Sequence, residues 1–97
     1  MYEYKHLTID EDDGSVYYLG YKLKLTKSEY DIVCSIANSA DGVRSGEFTD
    51  SSGKIKKKAI IQNSAVHICN INRKSRDIGN RKLIVCEDGK YYFNEFM

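Results

Sequence analysis

Ile61-Gln62-Asn63-Ser64-Ala65-Val66-His67-Ile68-Cys69-Asn70-Ile71-Asn72-Arg73-Lys74-Ser75-Arg76 is the stretch from which the rest of the chain is read. Ile61, Ser64, Ile68, Ile71 and Ser75 follow an i, i+3, i+7 rhythm, the spacing of a helix that turns one stripe inward. With the lysines before it, the segment predicts a helix over about 57–76. Gln62, Asn63, Val66, Asn70, Arg73 and Lys74 then fall on or beside the outward face, which is polar and basic. Gly79 supplies the stop.

Downstream, Leu83-Ile84-Val85-Cys86, then Glu87-Asp88-Gly89-Lys90, then Tyr91-Tyr92-Phe93 reads as strand, turn and strand. Upstream, Thr26-Lys27-Ser28-Glu29 is a capping box, in which the threonine hydroxyl accepts from the Glu29 amide and the carboxylate reaches back. A helix starts there, with Tyr30, Val33, Cys34 and Ala37 as its apolar stripe and Asn38 to Gly42 as its stop. Val43 to Asp50 predicts a second, shorter helix with Ser45 as cap, limited by Gly46 and the polar run after it. Before the first helix, strands are expected over Tyr4–Ile9, Val16–Leu19 and Tyr21–Leu25, the last alternating with period two. The fold class is therefore α+β: an N-terminal antiparallel sheet, a three-helix core and a C-terminal hairpin.

The chain has 97 residues, 41% of them apolar and 30% charged, which suits one domain spanning residues 1–97. No run approaches the roughly 18 apolar residues of a membrane span, so no membrane partner is expected. The opening Met1-Tyr2-Glu3-Tyr4-Lys5 lacks the basic and apolar regions of a secretory signal, and the expected location is cytoplasmic. Cys34, Cys69 and Cys86 form no C-x-x-C pair and are expected to be reduced, mostly buried thiols.

The formal net charge of +1 hides a division. Residues 1–50 carry five bases against ten acids, and residues 51–97 carry ten bases against four acids. Nine of those bases lie between Lys54 and Lys82 with one acid, Asp77, a field of the sign and density that attracts phosphates.

Four motifs now have an order. They are Leu23-Lys24-Leu25-Thr26 with Glu29-Tyr30; Asp41-Gly42-Val43-Arg44-Ser45; Val66-His67-Ile68 with Ile71 and Arg73-Lys74; and Tyr91 with Phe93. In this order and spacing the chain resembles the winged helix-turn-helix DNA-binding (effector) domain of OmpR/PhoB-type response regulators, over nearly its whole length. The resemblance implies a bacterial two-component regulator, a recognition helix in the major groove and a hairpin wing beside the minor groove. The partners it implies are double-stranded DNA, with a receiver domain, an RNA polymerase subunit or a second copy on the DNA as further ones. Two departures stand out. Asn72 and Ser75 replace the family's arginine and buried leucine, and the wing tip reads Glu87-Asp88-Gly89-Lys90 where the family has arginine and glycines. Two acids at a tip that meets phosphate are repelled by it. These residues hold no receiver domain of the kind that usually precedes the fold.

If the chain binds DNA, amides and guanidinium groups read base edges while long cations hold phosphates. The candidate base contacts are Gln62, Asn63, Val66, Asn70 and Arg73. The candidate phosphate contacts are Lys56, Lys57, Lys58, Asn72, Lys74 and Arg76, with Lys82 and Lys90 on the wing. His67 has no second ligand at metal spacing, so no metal and no cofactor is expected. The serines and His6 form no nucleophile and base arrangement, and no enzymatic activity is expected. The alternative is a divergent winged-helix module used for protein–protein interaction, which the acidic wing and the tyrosines Tyr2, Tyr4, Tyr17, Tyr18 and Tyr21 would suit.

Overall fold

The structure, a computed structural model, describes residues 1–50 and 59–96, the side chains of Asp50 and Ala59 excepted. Four short strands open it: β1 (Tyr2–Tyr4), β2 (Leu7–Asp10), β3 (Ser15–Tyr18) and β4 (Tyr21–Leu23), hydrogen-bonded in sequence order. All three pairings are antiparallel. The register places Leu7 opposite Tyr18 and Ile9 and Leu23 on either side of Val16. These five side chains are all at most 3% exposed, so one face of the sheet is core. The facing set of Thr8, Tyr17 and Lys22 stays at the surface. The strand expected over Tyr4–Ile9 is broken by a reversal at Lys5, whose φ of 54° ends β1 and starts β2. Leu19 and Gly20, both at positive φ, turn β3 into β4 in two residues.

Helix α1 (Lys27–Ala37) begins at the expected capping box. The Thr26 hydroxyl accepts from the Glu29 amide at 3.3 Å, and the Glu29 carboxylate accepts from the Thr26 amide at 3.0 Å. Its buried arc is centred on Ile32, Val33 and Ile36; Tyr30, Cys34 and Ala37 pack at its margin. The arc also buries Glu29 and Asp31, and these charged residues hide it from an apolar count.

The second helix expected from Val43 to Asp50 is a correction. Strand β5 (Val43–Arg44), one 3₁₀ turn (Ser45–Glu47) and strand β6 (Thr49–Asp50) occupy that stretch. Gly46 interrupts it, and the fully buried Phe48 anchors it in extended conformation.

The third helix also starts later than expected. Strand β7 (Ala59–Ile60) pairs with β6, and α2 runs over Ser64–Gly79. Asn63 just before it is left-handed at φ 55°, so residues 59–63 are not helical. From Ser64 onward the expected inward stripe holds: Ser64, Ile68, Ile71 and Ser75 are all buried, and Ile61 is buried from the non-helical segment before them. Asn80 closes the helix in the left-handed conformation, its amide donating to the Arg76 carbonyl at 2.9 Å.

Strands β8 (Ile84–Glu87) and β9 (Lys90–Phe93) form the final hairpin. Asp88 and Gly89, at φ 53° and 78°, make the two-residue turn between the paired Glu87 and Lys90. On its other side β9 pairs with β5, which ties the hairpin to the middle of the chain. There Gly42 lies under the Tyr92 ring: a Cβ would sit 2.6 Å from it, and φ is +81°. No described helix is long and apolar enough to cross a membrane. The expectation of mostly buried thiols is corrected: Cys34 is half-buried, Cys69 is exposed one residue past the buried Ile68, and Cys86 is exposed near the tip of the hairpin although it shares the strand face of Ile84.

Candidate nucleic-acid interface

The inner face of α2 packs against α1, β3, β4 and β8, so its outer face has one fixed direction. Two serines position its start. Ser64 Oγ donates to the Ser45 carbonyl at 2.9 Å and lies 3.1 Å from Ser45 Oγ, linking the helix to the 3₁₀ turn. The Asn63 carbonyl accepts from the Val66 and His67 amides, while its carboxamide makes no cap hydrogen bond.

The outer face is as follows. Gln62, Asn63, Arg73 and Arg76 are exposed, and Asn70 is half-buried. Val66 is 60% exposed, too open for a packing role. Among the described residues, none of these side chains is held by a hydrogen bond or ion pair. At helical spacing, Val66, Asn70 and Arg73 fall on one line along α2; Gln62 and Asn63 lie in the turn that precedes the helix. Two residues of the same side escaped the sequence reading, Ala65 and Cys69, both exposed. The signal was present: Cys69 is three residues after Val66 and four before Arg73.

Two expected phosphate contacts are corrected. Asn72 is buried, and its carboxamide is spent on the hairpin: Nδ2 donates to the Ile84 carbonyl at 2.9 Å and Oδ1 accepts from the Ile84 amide at 2.8 Å. Both halves of the amide are satisfied, leaving nothing for a phosphate. Lys74 is half-buried beside α1, and its Nζ donates to Glu29 Oε1 at 2.5 Å. The Glu29 side chain is 3% exposed, so the pair neutralises a carboxylate that would otherwise be buried alone. Lys74 is committed to this pair at the edge of the core. Ser75 is fully buried, and its one hydroxyl proton is shared between the carbonyls of Asn72 and Arg81. Lys56, Lys57 and Lys58 lie outside the described residues. On the hairpin Lys82 is exposed, and Lys90 is half-buried and faces Glu87 across the turn.

α1 carries a titratable pair on its far margin. Desolvation of its half-buried ring, then the hydrogen bond with Cys34 and the charges of Glu11 and Asp31, push the Tyr30 phenol up to about 12. Burial likewise raises the Cys34 thiol.

A one-sided sheet, two packed helices and a hairpin seated beside the second helix define a winged helix-turn-helix domain. The sequence matches no protein-family model and no curated protein. Solved structures match the fold. One is the DNA-binding domain of response regulator AdeR in complex with an intercistronic region, with TM-score 0.72 and 22% identity over 95% of this chain and 96% of that one. Another is described as belonging to a novel family of redox sensors in the streptococci evolved from two-component response regulators. It has TM-score 0.74 and 23% identity over 96% of this chain and 41% of that one. This chain spans about two-fifths of the second protein's length. At these identities the likeness is one of fold.

Proposed function

We propose that the chain is an OmpR/PhoB-type response-regulator effector domain that binds double-stranded DNA sequence-specifically in transcriptional regulation. Residues 1–97 act as one domain, and α2 enters the major groove. The observation that carries this reading is the outer face of α2 and the turn before it: Gln62 and Asn63 in the turn and Asn70 and Arg73 on the helix make no hydrogen bond or ion pair among the described residues. Among the described residues the buried side-chain polar groups are paired, so these unpaired ones are available to an external ligand. The AdeR domain, of the same fold, is found in complex with an intercistronic region.

Gln62, Asn63 and Asn70 present the donor and acceptor pairs that suit adenine, Arg73 suits guanine O6 and N7, and Val66 suits a thymine methyl. Arg76, Lys82 and Lys90 hold phosphates, joined by Lys56, Lys57 and Lys58 from the sequence. The experiment is fluorescence anisotropy of labelled duplexes over a range of salt concentrations. Affinity for random duplex should fall steeply with salt, by about one log unit of slope per phosphate neutralised. Arg73→Ala should cost about 1–3 kcal/mol on a selected site and much less on random duplex. Absence of binding at low salt would overturn the function, and equal losses on both duplexes would retire Arg73 as a base reader.

A further inference from the structure

DNA binding leaves two features of the chain unused: the acids near the hairpin tip and the aromatic residues at both ends of the sequence. The fold brings them together. Tyr4 of β1, Tyr92 and Phe93 of β9 and Phe96 just beyond it wall a cavity of about 370 Å³, which Glu87 of β8 and Glu95 also line. The walls are built. The Tyr4 and Phe93 rings stack with centroids 5.9 Å apart at 29°, and Phe93 is buried. The mouth is open, since Glu87 and Glu95 are exposed and Phe96 is 72% exposed. Among the described residues neither carboxylate is in an ion pair. No residue of α2 lines the cavity, so an occupant leaves the outer face of the helix free.

We propose that this cavity is a docking site for an arginine side chain presented by a basic segment of a partner protein. Aromatic faces carry negative potential and attract a cation set against them. Glu95, and Glu87 opposite Lys90 on the hairpin, add charge complementarity, neither being in an ion pair among the described residues, and a guanidinium answers a carboxylate with paired N–H donors. Arginine fits better than lysine because its planar, weakly hydrated head stacks on rings, whereas an ammonium holds its water. The volume is at the lower end of ligand sites, roughly 300–1,000 Å³, which suits one side chain and its stem. The same carboxylates repel phosphate, so nucleic acid is not the occupant. The inference rests on the cavity and stands apart from the DNA reading.

The test is an NMR titration of the isotopically labelled 97-residue chain with a hexa-arginine peptide, with hexa-lysine for comparison. Shifts should concentrate at Tyr92, Phe93, Glu95 and Phe96, with hexa-arginine binding more tightly than hexa-lysine. Glu95→Gln combined with Phe96→Ala should weaken hexa-arginine about tenfold, the loss of one exposed ion pair and one exposed cation–π contact. Both side chains are at the surface, so the doubly substituted chain should keep its melting temperature. Shifts centred on the acidic run Asp10 to Asp13, with unchanged affinity in that variant, would overturn the proposal in favour of diffuse charge attraction. A dimer in sedimentation velocity that the same substitutions abolish would assign the cavity to a second copy of the chain and overturn the partner reading.

Discussion

At the scale of single residues, Asn72 and Lys74 hold the domain together from within: one ties α2 to Ile84 of the final hairpin, the other neutralises the buried Glu29 of α1. Asn72 and Lys74 lie on a helix whose inward stripe is legible from period alone, yet their partners are 12 and 45 positions away in sequence. Nothing in the spacing of Asn72 announces Ile84, and nothing beside Lys74 announces that the capping glutamate of another helix is buried against it. Asn72 is four residues after Ile68 and three before Ser75, so the period sets it beside the buried stripe, but which groups satisfy its amide there is decided by tertiary packing. The structural role of Asn72 is testable. Asn72→Ala should cost about 2 kcal/mol in urea unfolding, because it strands the buried amide and carbonyl of Ile84, with only a small return from the better helix propensity of alanine. Unchanged stability with reduced affinity for DNA would instead return Asn72 to the set that touches phosphate.

At the scale of elements, legibility follows how local the determinants are. The start of α1 is written in Thr26 and Glu29, three residues apart, and the capping box forms as read. The final hairpin is written in Asp88-Gly89, whose positive φ values a two-residue turn requires. The start of α2 is not so written: its apolar phase extends back to Ile61 without a break, and only the left-handed Asn63 and the pairing of β7 with β6 end it there. That pairing joins segments on either side of the basic run, a non-local contact. Within α1 the raised Tyr30 phenol gives a pH dependence. In the unfolded chain a tyrosine ionises near 10, whereas here it holds its proton to about 12. Between those values the unfolded state binds fewer protons, so this contribution to stability is present below pH 10 and is lost as pH rises toward 12. The urea midpoint should fall across that window, and Tyr30→Phe should make the fall shallower; parallel curves for the two proteins would remove Tyr30 as its cause.

At the scale of the molecule, charge is sorted. The acids of residues 10–13 sit at the tip of the β2–β3 hairpin, while the exposed bases Arg73, Arg76, Arg81 and Lys82 follow α2 and the approach to the final hairpin. Acids also stand in the basic half of the chain: Asp77 is exposed on α2, and Glu87 and Asp88 are exposed at the tip of the final hairpin. A wing tip placed beside a duplex would bring these acids near phosphate, and the resulting repulsion is long-ranged at low salt and short at high salt, the screening length being about 10 Å at 0.1 M. Asp88 occupies a left-handed position that asparagine also favours, so Asp88→Asn removes a charge and leaves the turn intact. If the tip approaches the backbone, this substitution should raise affinity for random duplex about two- to fivefold at low salt, as one unit charge at surface distances is worth roughly 0.5–1 kcal/mol, and the gain should vanish as salt rises. The salt dependence separates electrostatic relief from a new hydrogen bond, which would persist at high salt. An affinity that does not change at any salt would mean that the tip stays clear of the duplex and that α2, with the bases around it, carries the contact alone.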